Sequence, residues 1–248
     1  MQNIWIKLIG WRATILQGDP TVVDRWNWLK KYHQCGPKKT LDAGCGQGAY
    51  TMYCAKRGNY AVGISFDQAQ LKTAYARSKL LKLSNLEFHI VDLRHLSESK
   101  IQCCVYDQII LFETLEHIYD DEKVLTNLSN LLCPGGILLI TVPFIDHKPL
   151  YGEKVSEFED GGHVRWGYSP GDINRLINKS GLEVIAQDFI SGFASQKTAS
   201  MQFYLRKYNT ALAWLLTFPL RFFCFLDTPL TRFLHYPYLS LGVLARKR

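Results

Sequence analysis

The sequence predicts a doubly wound α/β fold with a seven-stranded, mostly parallel sheet and a helical insertion before the last strand. Apolar runs typical of buried strands alternate along the chain with amphipathic stretches typical of helices, and a glycine-rich turn directly follows the first apolar run. The chain of 248 residues is 47% hydrophobic and 21% charged, which is enough apolar material for one α/β domain with an appendage.

The first half of the predicted sheet consists of three strands separated by helices. The strand that ends at Leu41 leads through the glycine-rich turn into a helix that ends at Gly58, because glycine readily adopts the left-handed conformation found at helix ends. The second strand, Tyr60 to Ile64, precedes a helix over residues 68–83 whose apolar residues recur at helical spacing. The third strand runs from Leu86 to Val91.

The second half continues this alternation but loosens after the fifth strand into a loop rich in glycine, acidic and aromatic residues. Loops of that kind often carry function. Beyond the loop, Ser169 and Pro170 are typical of a helix start and Gly181 of a helix end. The predicted elements are strand four over Val105 to Phe112, a helix over Val124 to Leu132, strand five over Gly136 to Val142, a helix over Gly171 to Ser180, strand six over Leu182 to Ile190 and strand seven over Leu239 to Arg246.

We expect four segments along the chain. They are an N-terminal helical extension over residues 1–37, a cofactor-binding core over 38–190, a basic, aromatic-rich cap over 191–238 and the last strand over 239–248. The net charge of +7 comes from the C-terminal part, since residues 190–248 carry eight Lys and Arg against Asp227 alone. This asymmetry indicates either contact with an anionic surface or substrate, or only a solubilising tail.

The glycine-rich turn LDAGCGQG, residues 41–48, predicts the class of ligand. Asp42 places a carboxylate at the end of the first strand, where it would repel the phosphates of a dinucleotide, so a cationic ligand fits better. A sulfonium compound with an α-amino group is such a ligand, and glycines without Cβ atoms let it lie against the backbone. The candidate ligand-binding residues of the turn are Asp42, Gly44, Cys45, Gly46 and Gly48.

From this turn to about Ile190, the order and spacing of the motifs resemble the class I S-adenosylmethionine-dependent methyltransferases. The segments YDQIILFETLEHI and LLCPGGILLITVP are similar to the fourth strand, the following helix and the fifth strand of the quinone-biosynthesis O-methyltransferases. The resemblance implies a Rossmann-like fold and S-adenosyl-L-methionine as cofactor. It also implies methyl transfer to a small-molecule or lipid-linked acceptor, at oxygen or else at carbon or nitrogen.

The resemblance further implies which residues contact the adenine ring. VDLRHL follows the third strand, as does the family segment whose acid lies near the adenine amino group, which assigns Asp92 and the backbone of Leu93 to that contact. Phe112, at the end of the fourth strand, would flank the cofactor. Asp92 could also cap the helix that follows it, and both roles can hold at once.

At the end of the second strand the chain departs from most of the family. Ser65 stands where most members have an acid that binds the ribose hydroxyls. The string GISFDQAQL instead resembles the variant of the cyclopropane fatty-acid synthases, which implies that Ser65, Phe66 and Gln70 contact the cofactor. Asp67 and Gln70 also have the spacing of a capping box, and we favour that role for Asp67.

Four residues are candidates for the chemistry of the methyl acceptor. Glu113, Glu116 and His117 stand at i, i+3 and i+4, which would place them on one face of a helix after the fourth strand. If the acceptor is a hydroxyl, Glu113, Glu116, His117 or His163 would remove its proton as a base, and we favour Glu113, His117 and His163 as the catalytic residues. The string E-x-x-E-H also resembles the metal motif of the small-RNA 3′-end 2′-O-methyltransferases, with His163 as a later ligand. A divalent ion is therefore the alternative to our expectation of a metal-free site.

His163 also belongs to the motif HVRWGYSP, which resembles a segment of methyltransferases that act on bacterial cell-surface sugars and natural products. We expect His163, Arg165, Trp166 and Tyr168 to form an aromatic and cationic lip for an acidic or ring-bearing acceptor. Arg165 could equally form a solvent-exposed ion pair with an acid close to it in the chain. Those acids are Glu157, Glu159 and Asp160.

The cysteines and two apolar stretches indicate in which cellular compartment the protein works. The seven cysteines form no C-x-x-C pair, and we expect buried thiols in a reducing cytoplasm rather than zinc ligands or disulfides. Lys7 and Arg12 interrupt the first apolar stretch, which argues against a signal peptide. The run Ala211 to Leu226 is too short to span a membrane and contains Pro219 and Arg221. We expect a cytoplasmic protein, with peripheral contact with the inner face of an anionic membrane as an option.

Two other functions deserve comparison with methyl transfer. An NAD-dependent oxidoreductase is disfavoured by Asp42 in the turn and by the missing acid at the end of the second strand. A non-catalytic assembly factor that binds the cofactor or RNA would suit the basic tail, but it leaves the four acceptor-site candidates unexplained. We therefore expect no nucleic-acid partner, and the sequence leaves the oligomeric state open.

Overall fold

The computed structural model describes residues 2–103 and 105–248 and contains a single seven-stranded sheet. The strands are β1 (Lys39–Ala43), β2 (Tyr60–Ser65), β3 (Leu86–Ile90), β4 (Tyr106–Phe112), β5 (Leu132–Pro143), β6 (Leu182–Ile190) and β7 (Ser240–Lys247). Their order in the sheet is β3-β2-β1-β4-β5-β7-β6. Only β7 runs antiparallel to its neighbours, so the predicted fold class is confirmed.

Ten α-helices lie within the described ranges. They are α1 (Gln2–Ile9), α2 (Arg12–Leu16), α3 (Pro20–Tyr32), α4 (Ala49–Lys56), α5 (Gln68–Leu80), α6 (Asp121–Leu131), α7 (Pro170–Lys179), α8 (Phe193–Arg206), α9 (Thr210–Thr217) and α10 (Asp227–Phe233). Four 3₁₀ segments accompany them: Leu93–Glu98, Lys100–Cys103, Leu115–His117 and Pro219–Leu226. The helices α8, α9 and α10 all precede the last strand, as the sequence predicts.

Side chains of the central strand β4 alternate between two buried layers. Ile109 and Leu111 pack in a core cluster that includes side chains of α6 and α7. Ile110 and Phe112 point the other way, into a cluster with side chains of α3 and α4. Because helices cover both faces, this central strand is apolar on both sides, as the buried strands of parallel α/β sheets are.

Local sequence signals fix several helix starts. The Asp67 side chain accepts hydrogen bonds from the backbone N–H groups of Ala69 and Gln70, at 2.8 and 3.1 Å, which confirms the helix cap predicted there. The Ser169 hydroxyl caps α7 in the same way by accepting from the N–H of Asp172 at 3.1 Å. Gly181, at φ +77°, follows the end of that helix.

The N-terminal helices and the helices before β7 pack against each other. The Trp214 indole donates to the Leu16 carbonyl at 2.9 Å. The Arg221 guanidinium donates to the carbonyls of Leu16 and Gly18, at 2.9 and 2.5 Å. These contacts hold the end of α2 beside α9 and the 3₁₀ segment Pro219–Leu226.

Three local expectations need correction. The segment after β4 is a single 3₁₀ turn, Leu115–His117, and not the predicted helix, because Glu113 adopts a left-handed conformation at φ +44° that interrupts helical geometry. Strand β5 begins at Leu132, earlier than the predicted Gly136. Not every described thiol is buried, since Cys35 is exposed.

Four further cysteines are free as well: Cys45 and Cys54 are buried, and Cys133 and Cys224 are half-buried. Cys104 lies outside the described residues. Within the described ranges, no helix taken alone has the length and apolar character needed to cross a membrane. The pair formed by Thr210–Thr217 and Pro219–Phe233, bent by 47°, would meet those two criteria jointly.

Candidate active site

The candidate site lies where β1 and β4 end side by side. The chain leaves β1 toward β2 on one side and β4 toward β5 on the other, so the loops after these two strands diverge and open a crevice. Three neighbouring cavities occupy this region. Glu113 lines all three, so the cavities meet at this residue, and Gly44 lines both the first and the second.

The first cavity, of about 200 Å³, collects most of the predicted cofactor contacts. It lies beside the ends of β2 and β3, and the aromatic ring of Phe66 is 60% exposed there. The predicted residues that line it are Gly44, Gly46, Ser65, Phe66, Gln70, Asp92 and Leu93. The fold therefore brings together predicted residues from three separate segments of the chain.

The glycines of the turn have different surroundings. Gly44 and Gly46 have φ of +81° and +51°, in the region that disfavours side chains. A Cβ on Gly46 would lie 2.9 Å from the Gln70 amide oxygen, at the wall of the first cavity. Gly48 lines none of the three cavities, and a Cβ there would meet Phe88 at 2.8 Å, so its absent side chain serves helix packing.

The second cavity contains a buried acid, Asp42, and a largely buried cation, Arg25. Asp42 is 2% exposed and accepts a hydrogen bond from the Thr51 hydroxyl at 2.6 Å. Burial raises the pKa of Asp42 to about 6, and the Thr51 hydrogen bond opposes that rise. The predicted residues Asp42, Gly44, Cys45 and Phe112 line this cavity.

Arg25, on α3, is a component of the second cavity that sequence reasoning missed. Its guanidinium lies 3.6 Å from the Glu113 carboxylate, and both side chains are largely buried. Burial alone would lower the pKa of Arg25, but the Glu113 charge raises it, so the arginine is a permanent cation. No local motif surrounds Arg25, and only tertiary packing of α3 brings it to the turn.

Asp92 lines the first cavity and forms an ion pair with Arg94. Its carboxylate accepts two hydrogen bonds from the Arg94 guanidinium Nε, both at 2.9 Å, and it also caps the following 3₁₀ turn. The Arg94 hydrogen bond lowers the pKa of Asp92, so the acid is ionised. Arg94 in turn pairs with Glu159 at 3.1 Å, which ties the loop after β5 to the cavity wall.

The third cavity assembles the acceptor-site candidates, although not on a helix face. Ligand atoms of Glu116, His117 and His163 lie within 4.8 Å of one another. Glu116 is fully buried, and neither carboxylate oxygen has a hydrogen-bond partner within the described chain. Burial and the nearby Glu113 charge raise the pKa of Glu116 well above its ordinary value. The His117 and His163 rings meet edge to face, with centroids 4.8 Å apart.

Two further residues, His147 and Glu153, border this cluster and were not anticipated. The Glu153 carboxylate lies 2.9 Å from His147 Nε2 and 3.6 Å from His163 Nδ1. Burial alone would lower the pKa of His147, but the Glu153 hydrogen bond raises it. Burial and the His117 charge lower the pKa of His163, so His163 is more readily neutral than His147. Both new residues lie in the irregular loop after β5, where the sequence has no periodic signal.

The expectation of an aromatic and cationic lip is wrong. Arg165 pairs with Asp121 and donates to the Ile118 and Tyr119 carbonyls at 2.9 and 2.8 Å, so it braces the turn after β4. Tyr168 is buried. The Trp166 ring stacks on the His147 ring at 4.7 Å, which leaves only His163 of that motif beside the cavity.

The chain is similar in sequence to known methyltransferases. A sequence profile described as a methyltransferase domain matches residues 37–165, about half of the chain. A "Probable S-adenosylmethionine-dependent methyltransferase" of Mycolicibacterium smegmatis is 27% identical over 176 residues, which cover 66% of this chain and 63% of that protein. A "Ubiquinone biosynthesis O-methyltransferase" of Acinetobacter baylyi is 31% identical over 114 residues, 45% of this chain and 47% of that protein. The match thus spans less than two thirds of the length of these two relatives.

A solved structure extends the comparison to the whole fold. The S-adenosylmethionine-dependent methyltransferase of Mesorhizobium loti superposes with a TM-score of 0.60 over 94% of this chain and 100% of that chain, at 16% identity. At that identity the likeness concerns the fold alone. It includes the seven-stranded sheet whose carboxyl ends form the crevice described here.

Proposed function

The chain belongs to the methyltransferase-domain family, and from this premise we propose that it is an S-adenosylmethionine-dependent methyltransferase acting on a small-molecule acceptor, preferentially at oxygen. The observation that supports the proposal is that three cavities meet at Glu113, the first two of which also share Gly44. Such an arrangement suits a cofactor with two chemically different ends and an acceptor that approaches between them. The O-methyltransferase named among the relatives supports oxygen as the acceptor atom.

The residues of the first two cavities fit the two ends of this cofactor. In the first cavity, Ser65 and Gln70 offer polar groups for the ribose, and Asp92 and Leu93 offer a carboxylate and backbone for the adenine. In the second cavity, a buried carboxylate and a buried guanidinium suit the α-ammonium and α-carboxylate of the amino-acid end. Asp42 would hold the ammonium and Arg25 the carboxylate.

The amino-acid end gives the first test. Asp42→Asn and Arg25→Gln are each expected to weaken S-adenosylmethionine binding by about tenfold or more, the usual size of a lost charged hydrogen bond. Binding of 5′-methylthioadenosine, which lacks the ammonium and the carboxylate, should change by less than about twofold. Isothermal titration calorimetry measures both ligands. An equal loss for the two ligands would contradict the assignment of the second cavity.

The same assignment predicts a pH dependence with a defined sign. The pKa of Asp42 is raised to about 6, so the carboxylate that the ammonium needs is present above that pH and becomes protonated below it. S-adenosylmethionine affinity should therefore be constant near neutrality, where the α-ammonium of the ligand is still protonated, and fall as the pH drops below 6, by at most ~10-fold per unit for one proton. The fall should disappear in Asp42→Asn and be absent for 5′-methylthioadenosine.

The third cavity would receive the acceptor beside the methyl group. S-adenosylmethionine would supply a methyl group on a sulfonium, open to in-line displacement, so the chain has mainly to hold the acceptor in position. His163 is suited to take the proton of an acceptor hydroxyl because its lowered pKa keeps the ring neutral. Glu153 lies beside its Nδ1 and would stabilise the imidazolium that forms. Glu113 and His117 complete the candidate catalytic set.

We extend the proposal to acceptors that carry an apolar or lipid-linked body. The third cavity is lined by the apolar side chains of Leu150, Phe203 and Leu239 as well as by the acidic and histidine cluster. An apolar body could pack there while its polar ring faces His163. An acceptor of this kind would be delivered from a membrane.

The test of the whole proposal is a labelled product. The protein is incubated with S-adenosylmethionine that carries a deuterated methyl group and with a panel of catechols and phenols, with and without alkyl tails. Mass spectrometry is expected to find products that gain one labelled methyl on oxygen, and more from the tailed phenols. If the cofactor binds but neither the panel nor a cell extract gains the label, the proposed activity is wrong.

A further inference from the structure

One side of the molecule exposes an unusual number of large apolar side chains. In the 3₁₀ segment Pro219–Leu226, no side chain is buried, and Phe222, Phe223 and Phe225 are 67%, 59% and 78% exposed. Neighbouring elements add more exposed apolar residues: Ile4, Leu8 and Ile9 on α1, Leu212, Leu215 and Leu216 on α9, and Phe233 at the end of α10. Isolated exposed apolar residues are ordinary, but a concentration of this size indicates a binding surface.

These elements form one continuous surface. The Trp5 ring on α1 meets the Trp214 ring on α9, with centroids 5.9 Å apart. From Trp214 the ring contacts continue to Phe218 at 4.7 Å and from Phe218 to Phe222 at 6.0 Å. We call the exposed side of α1, α9, Pro219–Leu226 and α10 the docking surface.

The charges of the two segments that build the docking surface have one sign. Residues 2–18 contain Lys7 and Arg12 and no acid, and residues 191–239 contain Asp227 as their single acid. Asp227 is buried, where its carboxylate accepts from the N–H groups of Gly192 and Ala194, both at 2.7 Å. The exposed charges of these segments are therefore all cationic.

Not every cation there is free to bind a partner. Arg221 donates to two carbonyls of the α2–α3 turn and to Gln202, which makes it a structural residue. Lys207 hydrogen-bonds the Tyr151 hydroxyl but remains exposed. Lys7, Arg12, Lys197 and Arg232 are exposed as well. These five are the exposed cations of the two segments, which a bilayer could attract.

We propose that the docking surface binds peripherally to an anionic phospholipid bilayer. Exposed phenylalanines and leucines flanked by cations, with no exposed acid, are the combination that interfacial segments use. A second copy of this chain would bring like charges together across the surface, which disfavours self-association. Arg206 and Thr210, next to the surface, line the second cavity. Delivery of a lipid-linked acceptor from the bilayer rests on the proposed function, whereas bilayer binding does not.

Vesicle flotation of the full chain tests this inference. The probes are neutral vesicles of phosphatidylcholine alone and anionic vesicles of phosphatidylcholine with about 30% phosphatidylglycerol, whose negative surface potential attracts cations. The apolar variant is Phe222→Ser/Phe223→Ser/Phe225→Ser, and the charge variant is Lys7→Gln/Arg232→Gln. Matched controls are Phe158→Ser and Lys123→Gln/Lys148→Gln, which change exposed residues outside the docking surface. Circular dichroism and S-adenosylmethionine binding verify the fold.

The expected result is binding to the anionic vesicles and not to the neutral ones, reversed by high salt. The charge variant should lower the partition coefficient by about tenfold or more, and the apolar variant should abolish flotation. The control variants should float like the unmodified protein. Absence of flotation on anionic vesicles, equal binding of the apolar variant, or a concentration-dependent dimer that the apolar variant abolishes without any vesicle binding would each overturn the inference. Loss of methyl transfer alone would not affect it.

Discussion

Replacing Gly46 with valine is expected to lower the affinity for S-adenosylmethionine by ~100-fold or more while the protein remains folded. Gly46 stands at φ +51°, and its Cβ would point at the Gln70 amide 2.9 Å away, into the wall of the first cavity. A valine there both occupies ligand space and displaces a predicted ribose contact. Gly44 is a less informative position, because a side chain there would clash with Thr114 and disturb the turn itself.

Strain must be separated from steric exclusion in this experiment. Gly181→Val is the matched control, since Gly181 also has a positive φ, +77°, but has open space around its Cβ position and lies at the end of α7. Both variants should lose stability through the left-handed backbone, by roughly 1–2 kcal/mol. Only Gly46→Val should fail to gain thermal stability when S-adenosylmethionine is added. If both variants bind the cofactor normally, the first cavity is not its site.

The sequence predicted the parts of this site that depend on local chain order. The strand, turn and helix around Gly44 and Gly46 form because neighbouring residues set their own backbone, and so the motif LDAGCGQG marks its position without knowledge of the fold. The same is true of Asp67, whose capping role depends on residues within one helical turn. The prediction of the sheet succeeded for the same reason, since strand periodicity is a local property.

The sequence could not predict the contacts made by tertiary packing. Arg25 reaches Glu113 across 88 positions of the chain, and nothing beside it in the sequence distinguishes it from a surface arginine. Arg165 was expected to face the substrate or else to pair with an acid within eight residues, but it is bound to Asp121, 44 residues away. In both cases a guanidinium largely withdrawn from solvent needs a partner, and the fold rather than distance along the chain determines that partner.

The prediction of a helix directly after β4 was wrong for a different physical reason. The spacing of Glu113, Glu116 and His117 matches a helix face, but spacing alone does not specify that the backbone is helical. Glu113 takes a left-handed conformation and hydrogen-bonds through its N–H to the Thr141 carbonyl at 2.9 Å, which pairs it with β5 instead. The acceptor-site residues still converge, because the loop after β5 brings His163 to them.

Substitutions in the cluster of the third cavity are expected to cause the second large effect, a loss of methyl transfer. Glu116→Gln, His117→Ala and His163→Ala are the three variants, and each is expected to reduce methyl transfer by ~10²-fold or more, whether the cluster acts as base or as metal site. His95→Ala is the matched control, because His95 also lies near an acid, Glu98 at 3.4 Å, but both are on the surface. Its turnover should equal that of the unmodified protein.

Chelation separates the two roles of the cluster. If Glu116, His117 and His163 hold a divalent ion, activity should vanish with a chelator and return with magnesium or manganese, and calorimetry should detect manganese binding that Glu116→Gln abolishes without any substrate present. If His163 is a base, chelators should change nothing. Turnover should then persist below the ordinary imidazole pKa of 6.5, because the lowered pKa of His163 keeps it neutral, and it should fall only at lower pH. Full turnover of both histidine variants in the presence of chelator would exclude both roles.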